Sequence, residues 1–488
     1  MLMFSILVPF LWGLMLLLLP EFRSRKLLIA ATGLGLTAAA ALGIGTALGG
    51  GELLLFSFGR NLDIFFRVDD LGRLFAAVVI LVWVLSGIHA FEYMKHEKEE
   101  KRYFGFYLMV FGVLHGLVFS GNLVTFYLFY EMMTLLSVPL ILHSRSREAI
   151  MGGLKYLFYS LFGAYMVLFA LFFLNKYTIT LDFQAGGVLD MAAVAGNEKL
   201  LLVVAFSMIM GFGVKAGMFP MHAWLPTAHP VAPAPASASM SGIIVKMGVL
   251  GMIRGVYYIV GPDFLRGTWV QTAWLVLSLV TVFMGSMLAY REKVMKKRLA
   301  YSTVSQVSYI LFGLALLQPQ AMMGSLLHVV FHAVIKSCLF LSAGAIIYKT
   351  HKTNVEDLRG IGKEMPLAIW CYTLASAALI GIPPASGFIS KWYLATGALE
   401  SGLGIFAWLG PVVLLVSALL TAGYLLPITV NGFLPGADFD YGSLKKKEPN
   451  LVMLLPLVIL GALAVLLGVF PGGLTEFISR ITGAVMQA

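Results

Sequence analysis

Five ionisable side chains stand in sequence surroundings that disfavour them. Lys215, Lys246, Lys336 and Lys391 lie inside or beside long apolar runs, and Glu131 is the carboxylate that falls well inside one. A charge at the centre of a membrane helix costs roughly 2.5–3.5 kcal/mol on insertion scales, so five approach about 15 kcal/mol together. That sum is as large as the whole folding free energy of a typical domain, and it argues that the set is retained for a purpose. Together the five read as an ion path. Lysine suits proton relay because burial and cationic neighbours make an ammonium easier to deprotonate. A carboxylate in reach can toggle the step: paired with Glu131 a lysine is held as ammonium, and once the pair separates it can discharge. The bland alternative for any one lysine is a helix–helix anchor, paired to Glu131 or to backbone carbonyls. The sequence leaves open which lysine Glu131 meets; contact with Lys215, directly or through one water, is the expectation.

His328, His332 and Lys336 recur at i, i+4 and i+8, nearly on one helix face. Two histidines four apart can ligate zinc. No glutamate follows the first in an HExxH pattern, however, and no cysteine or carboxylate cluster adds ligands. The stripe therefore reads as proton-path residues, with satisfied structural histidines as the alternative. Residues 301–309, Tyr301-Ser302-Thr303-Val304-Ser305-Gln306-Val307-Ser308-Tyr309, carry more hydroxyls than lipid contact needs. Such groups hold water or glue helices together, and both readings stay open. Two runs look broken. Lys215 is followed by Ala216-Gly217-Met218-Phe219-Pro220 and then Pro226, Pro230, Pro233 and Pro235, and Lys391 follows Pro383-Pro384-Ala385-Ser386-Gly387. Interrupted helices are tolerated at membrane depth only inside protein or along a wet cavity. In transporters, paired breaks in two structural repeats mark ion sites near the midplane.

The elements that must carry these residues follow from composition. The chain has 488 residues, 59% hydrophobic and only 12% charged, about half the ~25% charged share of a soluble protein. Too few charges remain to cover a soluble surface, which makes this an all-α polytopic membrane protein. At roughly 20 apolar residues per crossing, about fourteen spans are expected, near 2–20, 28–48, 71–91, 104–120, 122–142, 154–174, 200–219, 237–259, 269–290, 300–317, 324–348, 366–398, 405–430 and 451–470. The first lacks a basic leader and a cleavage site and is read as a retained helix. The twelfth is too long for one straight crossing and is interrupted by Gly381-Ile382-Pro383-Pro384.

The 34 Lys and Arg sort by loop. Odd-numbered loops hold 21, including Arg23-Ser24-Arg25-Lys26, the 291–298 run and Lys445-Lys446-Lys447, whereas even-numbered loops hold Arg60, Arg67, Arg73, Lys176, Lys199 and Arg266. The positive-inside rule makes the odd loops cytoplasmic and puts both termini outside. The net charge of +10 is thus topology, and a nucleic-acid partner is not expected. Among the remaining basic residues, Lys155, Arg254 and Arg480 sit near span ends, where long side chains can snorkel. The two cysteines, Cys338 and Cys371, lie in apolar runs, leaving no disulfide framework or iron–sulfur motif.

Phe129-Tyr130-Glu131-Met132-Met133 resembles the fifth-span glutamate motif of the antiporter-like subunits of respiratory complex I. The run Lys215-Ala216-Gly217-Met218-Phe219-Pro220-Met221-His222-Ala223-Trp224-Leu225-Pro226, continuing to Lys246, is similar to that family's seventh and eighth spans. His332-Ala333-Val334-Ile335-Lys336, and Gly381-Ile382-Pro383-Pro384 with Lys391, resemble its eleventh and twelfth. The likeness covers about residues 100–400 and extends to subunits of membrane-bound hydrogenases and of Mrp-type sodium/proton antiporters. It implies fourteen helices, with two inverted five-helix repeats, broken seventh and twelfth helices and a hydrated polar axis. The implied division is helices 1–3 over 1–100, helices 4–8 over 101–260, helices 9–13 over 261–430 and helix 14 over 431–488. Glu131 then matches the fifth-span glutamate, Lys215 the seventh-span lysine, Lys246 the bridging lysine, Lys336 the eleventh-span lysine of some members and Lys391 the terminal group. His222, His328 and His332 complete the expected proton-translocation set. A terminal lysine narrows the subtype without fixing it. The Ala228-His229-Pro230-Val231-Ala232-Pro233-Ala234-Pro235 stretch looks more like hydrogenase-type members. The chain stops about eighteen residues after its fourteenth span, so the lateral arm of the longest members is expected to be absent.

The expected function is that of a proton- or sodium-translocating subunit of a multisubunit energy-converting complex of the complex I or hydrogenase type. The chain itself would be non-catalytic, within an NADH-quinone oxidoreductase or hydrogenase-type assembly. An Mrp-type antiporter subunit without redox partners is the alternative. A self-sufficient solute transporter, a quinone-binding membrane enzyme and a structural spacer are further classes; no solute site, Walker, GxGxxG, CxxC or nucleophile-elbow motif supports the first two. No cofactor is expected on this chain. Expected partners are other membrane subunits, soluble redox subunits, protons or sodium ions, and lipid, in the inner (plasma) membrane of a prokaryotic cell.

Overall fold

The computed structural model describes residues 1–59, 61–440, 442 and 445–486; Arg60, counted above among the loop cations, lies outside the described residues. The helices that matter here are α1 (Leu2–Leu18), α2 (Arg25–Gly49), α3 (Asp70–Tyr93), α4 (Glu100–Val118), α5 (Leu123–Ile141), α6 (Arg147–Tyr177), α7 (Glu198–Ala216), α8 (Leu225–Val231) and α9 (Ala234–Val260). The second half of the chain adds α10 (Trp269–Arg291), α11 (Met295–Ala315), α12 (Pro319–Thr350), α13 (Pro366–Ile380), α14 (Ser386–Leu399), α15 (Ile405–Phe433), α16 (Leu451–Val469) and α17 (Gly472–Met486).

Among the described residues, ten helices are long and apolar enough to cross a membrane. The protein is an all-helical membrane protein in its spanning part, but it is not wholly α. A two-stranded antiparallel hairpin, β1 (Glu52–Ser57) and β2 (Asp63–Arg67), joins α2 to α3. Alternation in so short a run between two strong helical signals is easily lost. Side-chain caps set several helix starts: Asp69 accepts from Gly72 N, Asn122 from Thr125 N and Ser146 from Ala149 N.

Two helices are enclosed by the others. Every residue in the most apolar stretch of α9 is buried, and α12 is nearly as enclosed, which matches helices that are apolar all round. α9 packs on α3, α7 and α12, while α12 also meets α11, α13 and α14. The outward faces carry bare aromatics such as Phe158, Phe162, Phe169 and Phe172 on α6, as a lipid-facing surface requires. α9 is also irregular, with wide π-helical turns at Met240–Ile244 and Arg254–Val260 on either side of Lys246.

Arg254 does not snorkel. Its guanidinium is buried, donates in a fork to Asp69, with Nη2 2.7 Å from Oδ1, and lies over the rings of Phe183 and Tyr258. Its partner Asp69 lies just outside a predicted span, and nothing in the spacing of the two residues indicates that they meet. Removing one member of such a pair strands a buried charge. Asp69→Ala is expected to destabilise the detergent-solubilised protein by about 3 kcal/mol, seen as a lower thermal midpoint. The double variant Asp69→Ala/Arg254→Met should recover part of that loss; a double variant no better than Asp69→Ala would mean that the stranded charge is not the cause.

Candidate functional site

Lys215 is the penultimate residue of α7, which ends as Gly217 turns left-handed at φ 79°; this conformation suits glycine. Trp224 Nε1 donates to Val214 O at 2.8 Å, alongside the Gly217 N–H that the same carbonyl accepts at the helix end. The Lys215 side chain is buried. Its ammonium donates to Thr134 Oγ1 on α5 (2.8 Å) and to Tyr156 OH (3.1 Å) and Ser160 Oγ (2.9 Å) on α6. It also lies 4.5 Å from the centroid of the Tyr156 ring. Three acceptors fill the three donors of an ammonium, and none is a carboxylate.

Glu131 sits one turn before Thr134 on α5, half-buried, with Oε1 lacking a hydrogen-bond partner. No ion pair within 4.0 Å joins it to Lys215. The expected direct pair is not made in this structure, because Thr134 holds the amine one turn away. Lys215 is still the charge that acts on Glu131.

The second cluster lies between α9 and α12. Lys246 Nζ bonds Ser241 O and lies 2.6 Å from His332 Nδ1. α9 can approach Lys215 closely at Gly248, where a Cβ would come within 3.1 Å of Lys215 Cβ. One turn along α12, Lys336 donates to Leu299 O of α11 at 3.1 Å. One turn in the other direction, His328 lies 5.8 Å from His332, centroid to centroid, and its Nδ1 is 2.8 Å from Ser390 Oγ on α14. Tyr309 of α11 stacks on His328 at 5.6 Å and also faces Lys391, whose Nζ is 5.1 Å from the ring centroid.

Lys391 completes the series beside the second break. α13 ends at Ile380 with Gly381 at φ 95°, and α14 begins at Ser386. Lys391 Nζ reaches back to Leu379 O (2.6 Å) and Ile380 O (2.9 Å), where the open carbonyls of a helix C-terminus favour a cation. The contacts thus run Lys246–His332–His328–Ser390, with Lys391 adjoining through the next residue and the Tyr309 ring. Lys391 is half-buried and lines a pocket of about 240 Å³ with Phe388 and Trp392.

His222 stands apart. It lies in the turn between α7 and α8, half-buried, its ring 6.1 Å from that of Phe219, and the charge acting on it is that of Lys155. Several partners escaped sequence reasoning. Thr134, Tyr156, Ser160 and Ser390 are ordinary residues in a membrane helix, and only the four-residue spacing of Tyr156 and Ser160 hints that they share a face. Lys296 was hidden within a run of loop cations, yet it is buried in the first turn of α11. His229, on α8, is also fully buried.

Comparison with known proteins identifies the family. Residues 120–431 match the family described as NADH:quinone oxidoreductase/Mrp antiporter, transmembrane. The chain is 31% identical over 418 residues to NADH-quinone oxidoreductase subunit N of Desulforudis audaxviator, covering 83% of this chain and 81% of the relative. It is 30% identical over 444 residues to hydrogenase-4 component B of Escherichia coli K12, covering 86% of this chain and 65% of that longer protein. In fold it is similar to a chain of the Mrp complex from Dietzia sp. DQ12-45-1b, with a TM-score of 0.85 at 22% identity, covering 100% of this chain and 98% of that one. The chain is therefore an integral membrane protein of the NADH:quinone oxidoreductase/Mrp antiporter transmembrane family, the antiporter-like subunits.

Proposed function

We propose that this chain translocates protons, or sodium ions, as a non-catalytic subunit of a multisubunit energy-converting complex of the complex I or membrane-bound hydrogenase type. The observation that carries the proposal is the series of buried Lys215, Lys246, His332 and His328 with half-buried Lys391, bounded by two helix ends inside the bundle. Glu131 and Lys391, the outermost members, are the half-buried ones, as ends of a lateral path should be. Lys336 sits beside the series and His222 near its first break. A proton passes as each group in turn gains and loses it, and the toggle is Lys215 exchanging its three hydroxyl acceptors for Glu131.

The same reading divides the chain into helices 1–3 (1–100), two inverted five-helix repeats (101–260 and 261–430) and a C-terminal portion (431–488). The occurrence of a broken pair in each half, α7/α8 in one and α13/α14 in the other, supports it. Counting α1, α4, α11 and the α13–α14 pair with the ten long apolar helices gives the fourteen crossings expected. The polar residues of α4 and α11 and the break between α13 and α14 account for their weak apolar signals. The basic loops then face the cytoplasm and the termini the outside, in a prokaryotic inner membrane.

The family description spans oxidoreductases and Mrp antiporters alike, which keeps an Mrp-type subunit without redox partners as the second reading. Likeness to subunit N over four-fifths of that protein favours the first. Gentle purification from native membranes is expected to bring down soluble subunits containing iron–sulfur clusters or nickel. Recovery of membrane subunits alone, from preparations that still translocate ions, would establish the second reading instead.

A further inference from the structure

We infer that the path has an intake on the basic-loop face: a pocket floored by Lys296, from which His229 passes protons inward to Lys336 and Lys246. This rests on the ion-translocating reading above. The pocket has a volume of about 160 Å³ and is lined by Tyr93, Glu97, Pro230, Pro233, Lys296 and Thr353. A water occupies about 30 Å³ in the liquid, so several fit. Its walls come from the α3–α4 loop, the segment after α12 and the α8–α9 junction. Both of those loops are odd-numbered and basic.

Lys296 is turned inward. A lysine at a helix start near the membrane surface can place its ammonium in water by snorkelling, yet this one donates to Pro230 O at 3.0 Å and to Ala232 O, and its side chain is buried. Two of its three donors are used on those carbonyls. Glu97, at the pocket, is the carboxylate that acts on it.

His229 immediately precedes Pro230. It is fully buried, stacks on Phe340 at 4.7 Å between centroids, and neither ring nitrogen has a hydrogen-bond partner. Lys296 bonds the carbonyl of the next residue, Pro230, while the Phe340 ring on which His229 stacks lies one turn along α12 from Lys336, so His229 joins the pocket lysine to the lysine-bearing stretch of α12. A histidine kept only for packing would need neither nitrogen. An imidazole with both nitrogens uncommitted can take a proton on one and release one from the other. The Lys296 ammonium gives a proton to neutral His229, and the resulting amine is reprotonated from the pocket. The imidazolium then gives the proton on its other nitrogen to a neutral amine at Lys336 or Lys246, which leaves the opposite neutral tautomer, and a flip of the ring resets it for the next proton.

The test uses the assembled complex in sealed vesicles. Both native cysteines are buried, so Thr353→Cys introduces one exposed thiol at the pocket. A bulky, membrane-impermeant thiol reagent applied to the basic-loop face is expected to slow translocation about 100-fold relative to the same variant unlabelled, the scale set by losing one positioned proton carrier. Labelling Ala195→Cys, exposed in an even-numbered loop, should leave it unchanged. His229→Gln, checked for normal subunit content, should lose translocation by a similar factor. Unaltered translocation after labelling of Thr353→Cys, or in His229→Gln, overturns the intake. Lys215→Ala in the same vesicles separates the two ideas: if it too translocates normally, the ion-translocating reading has failed; if it is inactive, only the intake has.

Discussion

Lys215→Arg and Lys215→Ala are both expected to reduce translocation by about 100-fold or more in the fully assembled complex, the scale of losing a positioned proton donor and acceptor. Arginine preserves the positive charge and could still pair with Glu131, but with a pKa above about 12 it keeps its proton at any relevant pH. The pair of variants therefore separates charge from protonation. The Lys215 pocket sharpens the contrast. Thr134, Tyr156 and Ser160 converge on one compact ammonium at 2.8–3.1 Å, a cage that a planar guanidinium does not match. Subunit content has to be verified first, since the larger group sits at a helix end packed closely by α9. If Lys215 only anchors helices, Lys215→Arg keeps most translocation while Lys215→Ala does not. Near-normal translocation by Lys215→Arg would remove it from the relay.

The charges themselves were legible because their burial is costly: a lysine amid apolar residues is conspicuous however the chain folds. The helix ends were legible too, since Gly217 and Gly381 adopt left-handed turns next to prolines that cannot continue a helix. Partners were not. Helical periodicity places Glu131 and Thr134 on one face of α5, one turn apart, but gives no means of saying which of them the Lys215 amine reaches. Arg254 and Asp69 are 185 residues apart in sequence, and each looked like a residue near a span end. Lys296 looked like one more loop cation because the charge run around it continues to Arg298, whereas of that run the fold buries only Lys296, against α8. The hydroxyls of residues 301–309 illustrate the same limit. Ser302 meets Tyr424, Thr303 meets Ser241 and Ser305 meets Ser286 and Ser417, which is helix glue. Tyr309, in the same run, instead faces His328 and Lys391. The amphipathic α17 went unseen because its apolar residues are too few for a span.

Lys246→Met, His332→Ala and the double variant are expected to lose translocation by the same factor, about 100-fold, so that the double is no worse than either single. The reason lies in their 2.6 Å contact. One proton serves it: either an ammonium at Lys246 donates to neutral His332, or an imidazolium at His332 donates to a neutral amine. Two cations cannot share so short a contact, so the two arrangements differ by one hop of one proton, which is the transfer step itself. If Lys246 and His332 are consecutive on a single path, breaking either stops the flux and breaking both can do no more; such non-additivity is the signature of residues acting as a unit. If they serve separate branches, each single variant leaves the other branch running, and the double loses far more than either. Lys336 offers the bypass to watch, since its charge acts on both residues, although its own hydrogen bond is to Leu299 O. Translocation measured in vesicles for the four proteins of this cycle, at equal subunit content, decides between a serial axis and parallel branches. Losses that multiply would refute the serial axis.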